Sequence, residues 1–279
     1  MARVVVAQEA GACFGVERAL HMVTDLAKDE NGRVQTLGPL IHNPLVVEEL
    51  RDKGVGVVAD PASAAPGSTL VMRTHGVPPE VEQQARELGL VVVDATCPYV
   101  KKVHVAAERL ARKGYQVIVV GEKGHPEVEG TVGHAPKALV IGSPAELEGC
   151  QIARRVGVVV QTTLAQQALR DVVAALVGRC EELRVIDTIC DATSKRQEAA
   201  AELAEQADVM VVVGGRNSAN TTHLVQICAA HCEATHHIES ADELDPAWLD
   251  GADLVGITAG ASTPASHIDA VRQRIEALL

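Results

Sequence analysis

"VVVDATCPYVKKVH", Val91 to His104, sets an apolar run, a cysteine and a stretch of helical spacing in that order. The same order returns about ninety residues later in "RVIDTICDATSKRQ", Arg184 to Gln197. A reduced copy stands near the N-terminus as "VVVAQEAGACFGVERAL", Val4 to Leu20. Cys13, Cys97 and Cys190 therefore hold one position in a strand-then-helix pattern three times over.

More of the chain repeats with them. After each helix come another strand and a polar loop: "GPLIHNP" with His42, "GEKGHPEVEG" with His125 and "GGRNSANTTH" with Asn217, which lie 29, 28 and 27 residues beyond the respective cysteines. A second series of polar loops also opens helices: "VMRTHGVPPEVEQQAREL" with His75, "VVVQTTLAQQALRDVVAAL" with Thr162 and Thr163, and "VGITAGASTPASHIDAVRQRIEAL" with Ser262. The helix after His75 leads to the strand before Cys97, and the one after Thr163 to the strand before Cys190. The helix after Ser262 ends the sequence, so the strand before Cys13 is expected to complete the third unit. The repeat predicts three similar parallel-sheet α/β domains in a pseudo-threefold trefoil, with units 14–96, 97–189, and 190–279 plus 1–13.

Composition agrees with that class. The 279 residues are 47% hydrophobic but include only one Trp, two Tyr and one Phe, so Val, Leu, Ile and Ala must fill the core. That suits parallel sheets covered by Ala-rich helices. Strand-like runs near Val91, Val117, Val158, Val211 and Val255 alternate with helical stretches such as "YVKKVHVAAERLARKG" and "RQEAAAELAEQA". The balance of 25 basic against 37 acidic residues, net −12, with no basic run, argues against a nucleic-acid surface and for small-molecule or protein partners. No stretch approaches membrane-spanning length, and "MARVVVAQEAG" is too short for a signal-peptide core, so a cytoplasmic protein is expected. Seven cysteines, an odd number, oppose a disulfide framework and leave metal-bound or buried thiols.

In open α/β units the ligand end is where strands finish and helices begin, because helix N-termini carry unpaired N–H groups and partial positive charge. Three units facing one axis would bring the three thiols together, and three thiolates at one point need a cation. Soft sulfur ligands suit zinc or iron–sulfur clusters. A structural zinc site closes with four ligands at short paired spacings, which these positions lack. A 4Fe–4S cluster held by three cysteines leaves one iron open to polarise a substrate oxygen. His42, His75, His125, Thr163, Ser218, Asn220 and Ser262 stand at helix starts, as a ring of neutral donors for a phosphate group would. Alone, each reads as a surface or capping residue, and their recurrence at matched offsets is what points to a site. Arg73 is the nearest permanent charge. Glu127 adds a carboxyl, and a carboxyl in a dry pocket retains its proton and passes it on.

Taken in order, "GACFGVERA", "GPLIHNP", "THGVPPE", "DATCPYVKKVH", "GHPEVEGT", "QTTL", "TICDATSKRQEA", "GGRNSANT" and "TAGASTP" resemble the 4-hydroxy-3-methylbut-2-enyl diphosphate reductase family of the non-mevalonate isoprenoid route, over nearly the whole chain. The resemblance implies a trefoil around a central 4Fe–4S cluster with Cys13, Cys97 and Cys190 as ligands. It implies a diphosphate ring of His42, His75, His125, Ser218, Asn220 and Ser262. Glu127 resembles the proton-delivery residue, with His125 beside it in the catalytic group, and Thr162 a residue at the substrate's hydroxyl end. The implied reaction is reductive dehydroxylation of (E)-4-hydroxy-3-methylbut-2-enyl diphosphate to isopentenyl and dimethylallyl diphosphate, with electrons from an external donor such as ferredoxin or flavodoxin. The chain departs from the family pattern at Ala219, where many members have a second serine, and at Ala12, where an aromatic residue is common.

Other readings stay open at this level. One is a reductive dehydratase of a different phosphorylated alcohol, which the altered anion loop permits. Another is a non-catalytic iron–sulfur redox sensor, which needs no proton donor and usually carries an interaction segment; this chain is expected to end at its last helix. A nicotinamide dehydrogenase is disfavoured because "VVVGGRNSAN" lacks the third glycine of a dinucleotide turn. Cys228 and Cys232, with His231, His236 and His237 nearby, are expected to pack inward rather than bind a second metal, and Cys150 and Cys180 to be structural.

Overall fold

Valine-rich runs flanked by Ala-rich amphipathic stretches fold as strands buried on both faces beneath helices. The structure, a computed structural model, describes residues 2–29 and 33–279. In chain order the elements are β1 (Arg3–Val6), α1 (Phe14–Asp29), β2 (Val34–Leu37), α2 (Pro44–Asp52), β3 (Gly56–Val58), β4 (Thr69–Met72), α3 (Pro79–Glu87), β5 (Val91–Asp94), α4 (Pro98–Arg112), β6 (Gln116–Val120), α5 (Pro126–His134), β7 (Leu139–Ile141), β8 (Arg155–Val160), α6 (Gln166–Leu176), β9 (Glu182–Val185), α7 (Asp191–Ala204), β10 (Val209–Val213), α8 (Ala219–His231), β11 (Thr235–Ile238), β12 (Leu254–Ala259) and α9 (Ala265–Leu278).

The strands form three four-stranded sheets, all parallel, in the orders β3-β2-β4-β5, β7-β6-β8-β9 and β11-β10-β12-β1. Each order is the same: a short outer strand, two central strands, and an outer strand that leads to a cysteine. β1, at the N-terminus, pairs with β12, so the first residues complete the last sheet, as the repeat predicts. Central strands β4, β10 and β12 are buried throughout, whereas β1, β5 and β9 are partly exposed, as edges are.

By compactness the chain divides in two. One unit comprises Met1–Val16, His42–Val46 and Asp191–Leu279 and contains the β11-β10-β12-β1 sheet. Its core joins Val209, Val211, Val213, Ile238, Val255 and Ile257 to Ile268, Val271 and Ile275 of α9. Gly256 lets Leu203 of α7 lie against β12, since a Cβ there would come within 3.0 Å of its Cγ.

The second unit comprises Glu17–Ile41 and Val47–Cys190 and contains both other sheets. They are joined because α5 of one sheet lies on the turn before α3 of the other. Gly133 permits this: a Cβ there would stand 2.6 Å from the Pro78 Cβ. Gly157 of β8 plays the part of Gly256, admitting Leu110 of α4. The division expected at residue 96 falls between these two sheets. No helix of the described residues is long and apolar enough to cross a membrane.

Candidate active site

Parallel pairing aligns the carboxyl ends of the strands, and the loops that leave those ends carry the chemistry. Within the second unit, Cys97 lies just beyond β5 and immediately before α4, and its N–H donates to the Thr74 carbonyl over 2.9 Å. Cys190 lies beyond β9 and immediately before α7, and its N–H donates to the Thr162 carbonyl over 3.1 Å. Within the first unit, Cys13 lies beyond β1 and before α1, and its N–H donates to the Ala261 carbonyl over 3.1 Å. Each thiol is thus tied to the loop of the neighbouring central strand, one residue before His75, Thr163 or Ser262. All three are half-buried and none of the seven cysteines is in a disulfide.

The second unit holds a connected polar chain. Glu127, in the first turn of α5, is 2% exposed. The Thr162 N–H donates to its Oε1 over 2.6 Å, and Thr162 Oγ1 lies 2.8 Å from its Oε2. Burial pushes the carboxyl up to about 7, against the opposing pull of those two hydrogen bonds. His125 caps α5: its Nδ1 accepts the Glu127 N–H over 3.2 Å, which leaves the ring proton on Nε2. Pro126 follows at the first helical position, where a missing N–H costs nothing. His75 meets His125 edge to face, with ring centroids 5.7 Å apart. Thr163 accepts from Gln161 Nε2 over 3.0 Å, and Gln161 Oε1 in turn holds the Glu122 N–H. No local pattern in the sequence marks Gln161, which is 1% exposed and fixes two loops at once.

Nor does any local pattern mark His104. It is 6% exposed in α4, stacked on His134 at 4.3 Å, and a Cβ at Gly76 would fall 2.5 Å from its Cε1. It therefore lies directly under the loop that carries His75. Arg73 is half-buried with its guanidinium against Gly38, and burial lowers its pKa while Glu129 opposes that.

In the first unit, Ser218 caps α8, its Oγ accepting the Thr221 N–H over 3.3 Å. Asn220, 4% exposed, has no hydrogen-bond partner at Nδ2 or Oδ1 among the described residues, an arrangement a buried carboxamide rarely tolerates without a ligand. Thr221, next to it, turns its hydroxyl toward Gly214 and Gly260, in the crevice between the ends of β10 and β12. Asn43 donates from Nδ2 to the Ser262 carbonyl over 2.9 Å, which ties the His42 loop to the Ser262 loop. Arg196, 3% exposed, donates to the Gly11 carbonyl over 2.9 Å and so anchors the approach to Cys13. Cys228 and Cys232 are core residues beside Leu224, and burial pushes the Cys228 thiol up to about 12.

Within either unit, no three His, Cys, Asp or Glu side chains of the described residues gather into a metal site. The geometry defines a class: a parallel α/β protein that repeats a thiol at helix starts and keeps a buried carboxyl–hydroxyl pair.

Residues 4–276 match the sequence profile of the LytB protein family. The 4-hydroxy-3-methylbut-2-enyl diphosphate reductase of Aquifex aeolicus is 44% identical over 280 residues, 99% of this chain and 96% of the relative. The protein of the same name from Pelobacter propionicus is 47% identical over 274 residues, 98% and 97% of the two chains. A solved structure of such a reductase, described as the terminal enzyme of the non-mevalonate pathway, matches at 44% identity and a TM-score of 0.74, covering 99% of this chain and 100% of that one. The E-1-hydroxy-2-methyl-but-2-enyl-4-diphosphate reductase of Plasmodium falciparum matches with a TM-score of 0.92 at 27% identity, covering 99% and 87%. The chain belongs to the LytB family.

Proposed function

We propose that this protein is a 4-hydroxy-3-methylbut-2-enyl diphosphate reductase, which removes the allylic hydroxyl of its substrate to give isopentenyl and dimethylallyl diphosphate. In the net reaction a C–O bond breaks and a C–H bond forms. Two electrons and two protons are consumed, and one water leaves. The observation that carries the reading is the buried Glu127 carboxyl seated on Thr162. Expelling a hydroxyl as water needs a proton at the oxygen, and a carboxyl held near 7 in a dry pocket keeps one available. A redox sensor has no use for such a group.

Cys13, Cys97 and Cys190 would hold a 4Fe–4S cluster, as the family resemblance implies. Their fit rests on donor chemistry: three half-buried thiols, each directly before a helix and each on a residue whose N–H is bonded to the loop after its own neighbouring central strand, while Cys228 and Cys232 are packed in a core. When bound, such a cluster supplies two electrons one at a time and an iron without a protein thiolate that polarises the hydroxyl oxygen.

The chain's own residues handle binding and protons. In the resting arrangement Thr162 Oγ1 donates to Glu127 Oε2; when Oε2 carries the proton, the threonine hydroxyl turns to accept it and gives its own hydrogen to the substrate hydroxyl, so the pair works as a two-step relay. The diphosphate oxygens would be held by His42, His75, Thr163, Ser218, Asn220, Ser262 and His125, the last with its proton on Nε2. The vacant hydrogen-bonding capacity of Asn220 supports that role. The second proton, taken at carbon, comes from the diphosphate itself. Electrons arrive from a separate carrier of the ferredoxin or flavodoxin kind, in the cytoplasm. Anaerobic purification with iron and sulfide counted, followed by turnover of the allylic diphosphate with a reduced viologen, tests the reading. About four irons per chain and dye-driven product formation are expected, and a protein that binds no iron or leaves the diphosphate unreacted overturns it.

A further inference from the structure

A groove of about 350 Å³ runs along the outside of α4 in the second unit. Its walls include Pro98, Lys101, Lys102, Val105 and Arg109 of that helix, and Ile186 just beyond β9. The charged residues lining it are all basic, in a chain whose net charge is −12. Lys101 pairs with Asp94 at 2.5 Å, while the Lys102 ammonium stands 4.5 Å over the Tyr99 ring. The centre is apolar and open: Val105 is 60% exposed, and Val185, on the adjoining edge strand, 39%. An isolated exposed valine is ordinary, but Val105 sits among Lys101, Lys102 and Arg109. Pro98 directly follows Cys97, and Ile186 lies four residues before Cys190. The groove thus abuts both chain segments that present thiols in this unit.

We infer that this groove is the docking surface for a small acidic one-electron carrier protein, an inference that rests on the reductase reading given above. Redox encounters use small interfaces, in which charge complementarity sets the rate and orientation of approach and a modest apolar centre allows quick release. A basic rim on an otherwise acidic protein selects an acidic carrier, and like charge opposes the rim-to-rim pairing of two copies of this chain. Each encounter delivers one electron and the reaction consumes two, so the carrier must leave and be replaced between them.

The test is the double variant Lys102→Glu/Arg109→Glu, made in the iron-loaded enzyme, with an acidic 2Fe–2S ferredoxin as carrier. At low salt the KM for reduced ferredoxin is expected to rise about tenfold or more, while turnover driven by reduced methyl viologen, which needs no docking, stays at the parent rate. Calorimetric titration of oxidised ferredoxin into the same proteins should show the Kd weakened by a similar factor, and a Val105→Asp variant should behave likewise. An unchanged ferredoxin KM and Kd in both variants overturns the assignment. So does a concentration-dependent dimer of the parent enzyme that the double variant abolishes, since the face would then belong to self-association. If viologen-driven turnover is absent from the parent enzyme, it is the reductase reading that fails, and the calorimetric comparison still decides whether ferredoxin binds at this groove.

Discussion

Thr162 grips Glu127 at two points, with its amide on Oε1 at 2.6 Å and its hydroxyl on Oε2 at 2.8 Å. The same threonine's carbonyl receives the Cys190 N–H at 3.1 Å. One residue therefore joins the proton-bearing carboxyl to a thiol loop. Glu127→Gln keeps the shape and one acceptor oxygen but has no acidic proton. It should lower viologen-driven kcat by about 100-fold or more, the usual contribution of a general acid, with iron content unchanged. Thr162→Ser, which keeps the hydroxyl, should retain most of the rate that Thr162→Val loses. Equal rates in those two variants would show that the hydroxyl has no part in the relay.

The pH profile has a defined sign. Burial raises the Glu127 carboxyl from 4.5 to about 7, so the proton-bearing form prevails below that value. Turnover should fall as pH rises through about 7, and Glu127→Gln should lose that limb. Linkage gives the matching stability effect: the folded state holds the proton more tightly than the unfolded one. The contribution is complete below 4.5 and is lost as pH rises through about 7. Urea denaturation of the parent and Glu127→Gln proteins at both ends of that window should diverge accordingly.

His104 should show the opposite dependence. Burial, chiefly, and then His134 depress its pKa from 6.5 to about 4, with Asp94 opposing and Lys101 assisting. Its neutral ring suits the pocket above 6.5, and that advantage is lost as pH falls toward 4, by on the order of 2–4 kcal/mol. A His104→Gln protein, compared with the parent by denaturation at pH 7 and pH 4.5, should lose less stability on acidification.

Gly76 combines a φ of 73° with a Cβ position 2.5 Å from His104 Cε1. Gly76→Ala meets both the left-handed backbone penalty and a ring that has little room to move. A loss of about 1–3 kcal/mol is expected, with a raised KM for the diphosphate because His75 is the preceding residue. A variant with parent-like melting temperature and KM would contradict this.

The thiols should separate into two classes. Cys13→Ser, Cys97→Ser and Cys190→Ser should each lower iron per chain after anaerobic reconstitution, since a hydroxyl is a poor substitute for a soft ligand. Cys228→Ser should keep its iron and lose stability instead, because it places a hydroxyl in the core beside Leu224.

How far the sequence reached follows from the range of the forces involved. Alternation of valine runs with amphipathic helices, and a cysteine at one place in each repeat, are local patterns, and the β5, β6, β8, β10 and β12 strands were legible from them. The return of β1 to β12 was legible too, because the strand before Cys13 repeats the strands before Cys97 and Cys190. The outer strands β3, β7 and β11, three or four residues each, were not, because pairs of backbone groups on a neighbour hold them and no side-chain period marks them.

What only tertiary structure decided is which distant groups touch and what burial does to them. Thirty-five residues separate Glu127 from Thr162, and nothing in either segment shows that one carboxyl would lie dry against the other's hydroxyl. His104 reads as one polar residue on an amphipathic helix until Gly76 closes over it. The grouping of two sheets into one compact unit likewise depends on Gly133 meeting Pro78, a contact of backbone and small side chains that sequence periodicity does not encode. Residue type determined what chemistry was available; exclusion of water from particular atoms, a property of the packed chain alone, selected which of it is used.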